Sequence, residues 1–243
     1  MKICAAFFTI FCFLGPAVQK TQATFFGEDT RRSVTKNDVL PYKAVVRIHV
    51  ALRNGKVRRC NGVIFESVYV ATNAHCVQGV VAAIRVVTTD GVEHAAASYS
   101  VNPEYEHGDD SNHVIKMVPE DVAFIKMKKR LGIYRSLKIS DFLRGDRRER
   151  LWLIAYHRDQ WDQLKEERCQ ARINWWLFRD RAEYECDTGP SVSGAPLLAR
   201  HPDTGEWYVV GLHSASGESF NAGFMVGGHK KASEFIRSHV SIQ

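Results

Sequence analysis

Three short stretches, far apart in the chain, carry side chains that could act together in nucleophilic chemistry. Ala71-Thr72-Asn73-Ala74-His75-Cys76 sets a histidine just past the apolar run Val68–Ala71. Glu120-Asp121-Val122-Ala123-Phe124-Ile125-Lys126-Met127 sets Asp121 at the start of another apolar run. Cys186-Asp187-Thr188-Gly189-Pro190-Ser191-Val192-Ser193-Gly194-Ala195-Pro196 surrounds Ser193 with small residues, which let backbone and substrate approach closely. A serine hydroxyl is a weak nucleophile until a base takes its proton. A histidine base in turn needs a carboxylate to set its tautomer and stabilise the imidazolium. Each stretch by itself has a plainer explanation: a structural histidine, an aspartate capping a turn, a tight turn. Together, in the order His75, Asp121, Ser193, they read as a nucleophilic triad. Ser191 is the rival nucleophile, but only Ser193 is followed by Gly194-Ala195-Pro196. Asp109 and Asp110 are the rival acids; their polar run, His107–His113, has oxygens for a cation such as Ca²⁺ but reads first as a solvated loop.

Such groups need a rigid scaffold, and the chain reads as many short strands. Lys43–Leu52 alternates around Val45, Val46, Ile48 and Val50. Val63–Phe65, Val68–Ala71, Ala83–Val87, Val122–Met127, Leu151–Tyr156, Ile173–Phe178, Pro196–Ala199 and Trp207–Leu212 continue the series. β-Branched and aromatic residues fill these runs, and Gly, Asp, Asn or Pro punctuate them. In His229–Val240 the apolar residues Ala232, Phe235, Ile236 and Val240 fall on one helical face. Residues 131–146 hold no clear strand and predict a linker, and Arg144–Arg150 is a charged, solvated connection. The expected layout is an N-terminal segment 24–40, a β lobe over 41–130, a second over 131–228 and a helix over 229–243.

The chain has 243 residues, 33 Lys+Arg against 27 Asp+Glu, and a net charge of +6. With 45% hydrophobic residues it carries enough apolar material to fold, which excludes a disordered chain. The charge is modest and lacks the aromatic–basic interleaving of a single-strand platform, so no nucleic-acid partner is expected. Met1-Lys2, the apolar run Ile3–Leu14 and the small residues Ala17 and Ala23 read as a secretory signal peptide over 1–23. That predicts a secreted or periplasmic protein with no membrane association once the signal is removed. A run this short is unsuited to a span of about 20 apolar residues. Four cysteines remain after it: Cys60, Cys76, Cys169 and Cys186. An even number in an oxidising compartment predicts disulfides in one of three pairings. No CxxC spacing points to a metal site.

Read together, these stretches resemble the trypsin-like, chymotrypsin-fold serine endopeptidases, most closely the secreted bacterial branch that includes the glutamyl endopeptidases. Phe26-Gly27-Glu28-Asp29-Thr30-Arg31 is similar to that branch's mature N-terminal region. Cys60-Asn61-Gly62-Val63-Ile64 and Thr72-Asn73-Ala74-His75-Cys76 resemble the strand pair and first disulfide around the catalytic histidine. Cys169 with Tyr184-Glu185-Cys186-Asp187-Thr188 resembles the second disulfide, and Val209-Val210-Gly211-Leu212-His213-Ser214 the strand lining the specificity pocket. The resemblance implies an all-β fold of two antiparallel six-stranded barrels with the site between them. It pairs Cys60 with Cys76 and Cys169 with Cys186. It makes His75, Asp121 and Ser193 the triad and the Ser191 and Ser193 backbone N–H groups the oxyanion hole. It implies a protein or peptide substrate, a monomer, and neither metal nor organic cofactor.

The sequence departs from the family where Ser191 takes the usual Gly position of the oxyanion hole and Val192 the usual Asp or Asn. Losing one oxyanion donor lowers the rate about 10²–10³-fold. That keeps open a weakened or inactive homologue acting as a binding protein. The substrate-binding set is Asp187, Thr188, His213, Ser214, Ser216 and Gly223. Asp187 stands where trypsin-like enzymes hold the acid that binds Arg or Lys. Thr188 and His213 match the residues that glutamyl endopeptidases use for Glu. Ser216 and Gly223 are expected to leave the pocket mouth open. Acidic specificity is the favoured expectation over basic, and over a pocket that takes small or apolar residues with His213 only packing in the barrel.

Overall fold

The computed structural model describes residues 24–106, 118–132, 137–141, 143, 147–174, 181–217, 219–227 and 230–240. The expected signal peptide, the rival acids Asp109 and Asp110, and most of the expected Ile173–Phe178 strand lie outside these residues. The described chain opens with an extended segment ending in a two-residue strand, β1 (Arg32–Ser33). Six strands follow: β2 (Val45–Leu52), β3 (Val57–Phe65), β4 (Tyr69–Thr72), β5 (Val81–Val87), β6 (Glu93–Val101) and β7 (Ala123–Met127). They close into an antiparallel barrel in the order β2-β3-β4-β7-β6-β5, sealed by β2 against β5. A short β8 (Lys138–Ile139) lies in the expected linker and pairs in parallel with the later strand at Tyr208–Val209.

The second barrel is built from β9 (Arg147–His157), β10 (Gln160–Asn174), β11 (Arg181–Tyr184), β12 (Pro196–Arg200), β13 (Trp207–Ser216) and β14 (Asn221–Met225). Its order is β10-β11-β14-β13-β12-β9, and β9 pairing back on β10 closes it. β1 adds to the outside of β10. A helix, α1 (Lys230–Arg237), follows β14.

Strand periodicity sorts the side chains into three cores. Val46, Ile48 and Val50 fill the first barrel, while Val45 faces out of it. Leu151, Leu153 and Ala155 fill the second barrel, while Ile154 and Tyr156 on the same strand face out. The outward residues meet in a third cluster between the barrels, capped by Ala232 and Ile236 of α1 and by Val240. Beyond α1, His239 stacks on Phe124 at 4.7 Å and bonds Ser100 Oγ at 2.7 Å, tying the C-terminus to the first barrel. Disulfides join Cys60 to Cys76 and Cys169 to Cys186. Among the described residues no helix is long and apolar enough to cross a membrane.

Candidate active site

His75 sits in a single 3₁₀ turn, Ala74–Cys76, directly after β4. The Cys60–Cys76 bridge ties that turn to β3, and Arg58 holds it by donating to the carbonyls of His75, Cys76 and Gln78. Asp121 lies two residues before β7 and is completely buried. One of its carboxylate oxygens accepts the His75 backbone N–H at 3.0 Å, the other the Nδ1–H at 2.8 Å. The acid therefore fixes both the position and the tautomer of the imidazole, leaving Nε2 free to accept a proton. Asn73 adds a second layer: its Nδ2 donates to the Asp121 carbonyl at 2.8 Å and to Ser214 Oγ at 3.0 Å.

Ser193 lies on the loop between β11 and β12. Its carbonyl accepts the Asn61 backbone N–H at 2.7 Å, which docks the loop on β3 of the first barrel. Gly194 follows at φ +81°, and a Cβ there would lie 2.2 Å from the Asn61 carbonyl oxygen, so no other residue fits. Among the described residues no hydrogen bond joins Ser193 Oγ to His75. In substrate-free sites such bonds are often long and tighten only in complexes. Ser191 stands at φ +72°, in the left-handed region that glycine usually occupies.

Two closed six-stranded barrels, a buried aspartate on a strand-end histidine, and a serine loop docked beside them are now in place. A sequence model of the trypsin-like peptidase domain matches residues 60–230, well over half of the chain. The chain belongs to the trypsin-like peptidases. It is thereby a serine endopeptidase, a hydrolase of protein substrates. A solved structure described as a Glu endopeptidase in complex with MPD shares the fold. Its TM-score is 0.64 at 21% identity, over 87% of this chain and 97% of that one. No curated protein sequence gives a significant match.

Thr188 Oγ1 lies 3.0 Å from Ser216 Oγ, and Ser216 Oγ lies 3.3 Å from His213 Nε2. His213 is buried, and that burial holds its pKa down at about 3, helped by His75 and His157. The ring is neutral at working pH. Its Nδ1 meets the Tyr184 hydroxyl at 2.6 Å. Burial pushes the Tyr184 pKa well above its usual value, so the phenol keeps its proton. Nδ1 is the acceptor that buried hydroxyl needs, so the ring hydrogen sits on Nε2, facing Ser216.

Two residues of the expected substrate-binding set have close contacts within the fold. Asp187 is buried, with its carboxylate engaged by the N-terminal segment. It accepts from Phe26 N at 2.8 Å, Thr30 N at 2.8 Å and Thr30 Oγ1 at 3.1 Å. It anchors that segment. Gly223 is closely packed. A Cβ there would meet Leu197 Cδ1 at 2.5 Å and the Leu212 carbonyl oxygen at 2.9 Å, so this glycine lets barrel strands pack.

Asn61, Asn73, Tyr184 and His157 have site contacts that the sequence motifs did not reveal. His157 is buried, its Nδ1 accepts Gly189 N–H at 2.9 Å, and burial lowers its pKa to about 3. Each of these contacts spans many residues of sequence and leaves no spacing signal. Asn61, Asn73 and Tyr184 do lie within the quoted motifs, the one trace that marked them.

Proposed function

We propose that this peptidase is a secreted enzyme that cuts peptide bonds through Ser193, His75 and Asp121, with a preference for Glu before the cut. The observation that carries the triad is the buried Asp121 carboxylate, which accepts both His75 N–H groups. Ser193 Oγ attacks the scissile carbonyl carbon as its proton passes to His75 Nε2. The carbonyl π pair moves onto oxygen, where the N–H groups of Ser191 and Ser193 receive it. The tetrahedral species collapses, the C–N bond breaks, and Nε2 returns its proton to the leaving amine. Water then repeats the sequence on the acyl-enzyme. Asp121 stays ionised and stabilises the imidazolium.

The acidic preference is supported by His213. A neutral ring that offers Nε2–H beside the hydroxyls of Ser216 and Thr188 supplies hydrogen-bond donors for a carboxylate. The engagement of Asp187 by residues 26–30 removes the acid that a basic preference needs. Secretion is supported by the two disulfides. The test is fluorophosphonate labelling of the purified protein. Labelling is expected, and Ser193→Ala abolishes it with the fold intact. A folded wild type that takes no label supports the binding-protein alternative, and label lost in Ser191→Ala but kept in Ser193→Ala reassigns the nucleophile.

A further inference from the structure

Ser191 is not a glycine, yet it holds a conformation that glycine adopts at little cost, at φ +72°. Two hydrogen bonds hold it there. The carbonyl before it, Pro190 O, accepts Arg158 N–H at 2.9 Å. Its own carbonyl accepts Asn61 Nδ2–H at 2.8 Å. In a trans peptide C=O and N–H point in opposite directions. Fixing Pro190 O therefore aims the Ser191 N–H away from Arg158, and fixing Ser191 O sets the next peptide. The Arg158 contact is a main-chain bond that nearly any residue there would make. The Asn61 contact depends on the side chain.

Asn61 is itself over-determined. It is completely buried on β3. Its Oδ1 accepts Tyr156 N–H at 2.8 Å, and its Nδ2 donates to Tyr156 O at 2.9 Å as well as to Ser191 O. Tyr156 is on β9, so one amide from the first barrel grips a strand of the second and the nucleophile loop together. The Asn61 main chain adds the bond to Ser193 O, and its carbonyl accepts Thr72 Oγ1–H at 2.7 Å. All its polar groups are in use, and the three main-chain partners of its side chain fix which way the amide faces.

We infer that Asn61 is a positioning residue for the oxyanion hole, holding Ser191 in the left-handed conformation that a glycine there would take unaided. The inference rests on the reading of Ser193 as nucleophile and of the Ser191 and Ser193 N–H groups as oxyanion donors. Asn61 touches no reacting atom and acts through Ser191.

The test compares Asn61→Ala, Asn61→Asp and Ser191→Gly with the two double variants, using steady-state kinetics normalised to titrated active sites and inhibition by a peptide aldehyde. The aldehyde's hemiacetal oxygen occupies the oxyanion hole. In Asn61→Ala, kcat is expected to fall about 10²-fold and aldehyde affinity to fall in parallel, with KM within about threefold. Adding Ser191→Gly is expected to restore at least about tenfold of the lost kcat, because glycine needs no clamp. Asn61→Asp keeps the size and the acceptor for Tyr156 N–H but cannot donate to Ser191 O; it carries the test where Asn61→Ala does not fold. A residue that only supports the fold would lower the melting temperature and the titrated fraction, leave kcat per site unchanged, and show no rescue by Ser191→Gly. That result overturns the inference, as does failure of both Asn61 variants to fold. A wild type that neither titrates nor labels refutes the underlying triad instead, so the two failures are distinguishable.

Discussion

At the residue scale, the proposed preference for Glu depends on a proton that Tyr184 places. The buried phenol donates to His213 Nδ1, and the ring then offers Nε2–H toward Ser216. Tyr184→Phe removes that donor while nearly keeping the shape, and frees the ring to take the other tautomer. Cleavage after Glu is expected to drop about tenfold or more in kcat/KM, against less than threefold for cleavage after Leu. His213→Ala should show the same selectivity with a larger loss. Equal losses on both peptides in Tyr184→Phe would reduce the tyrosine to packing. The proposed triad stood out in the sequence because His75 follows an apolar run, Asp121 opens one and Ser193 sits among small residues just before one. Tyr184 was not, because its partner lies 29 residues away and only the pairing of β11, β14 and β13 brings them together. The contacts of Asp187 were hidden for a related reason. Its position relative to Ser193 matches a substrate-binding acid, but its partners Phe26 and Thr30 are 161 and 157 residues away.

At the element scale, residues 24–34 form a strap along the second barrel. Thr24 bridges Thr188, β1 pairs with β10, and Val34 N–H bonds Leu164 O. Asp187 is the side chain that pins its first turn. Asp187→Ala should speed amide hydrogen exchange at Phe26 and Thr30 by about tenfold or more, leaving amides of β2 unchanged and the substrate profile free of any change at Arg or Lys. A lost preference for Arg or Lys would return Asp187 to the pocket. The turn that carries His75 depends on its bridge. The Cys60–Cys76 loop spans 16 residues, so the double serine variant should lose about 3 kcal/mol in urea unfolding together with most activity. Strands such as β2 were legible because they alternate between a barrel interior and the shared core. β6 (EHAAASYSV) is half exposed and small-residued, and β10 (QWDQLKEERCQARIN) is charged on its outer face, where Arg168 stacks on Trp152 at 4.3 Å. β6 carries no apolar stripe, β10 only the short alternation Cys169, Ala171 and Ile173, and β8 is too short to show one.

At the scale of the whole molecule, an apolar cluster joins the two barrels, and buried ionisable groups of the second barrel and its loops set how the fold answers to pH. His157 and His213 are neutral in the fold, with pKa values held near 3 mainly by burial, against 6.5 in an unfolded chain. Below about pH 6.5 the unfolded state takes up protons that the fold refuses, so both contribute stability that is lost as pH falls from 6.5 toward 3. Glu167 acts in the other direction. Burial, with Asp187 beside it, raises its pKa to about 7 from 4.5, so the fold favours its protonated form. Its contribution is present below pH 4.5 and is lost as pH rises toward 7. Between pH 4.5 and 6.5 the carboxyl offsets part of the histidine effect; below 4.5 the histidines act unopposed. Urea midpoints should therefore fall most steeply below pH 4.5. His157→Gln, whose side-chain oxygen still offers an acceptor to Gly189 N–H, should flatten that limb. Glu167→Gln should steepen the decline between pH 6.5 and 4.5 by removing the opposing term. A His157→Gln profile parallel to wild type across pH 3 to 6.5 would show that the imidazole takes up its proton in the fold as readily as in the unfolded chain.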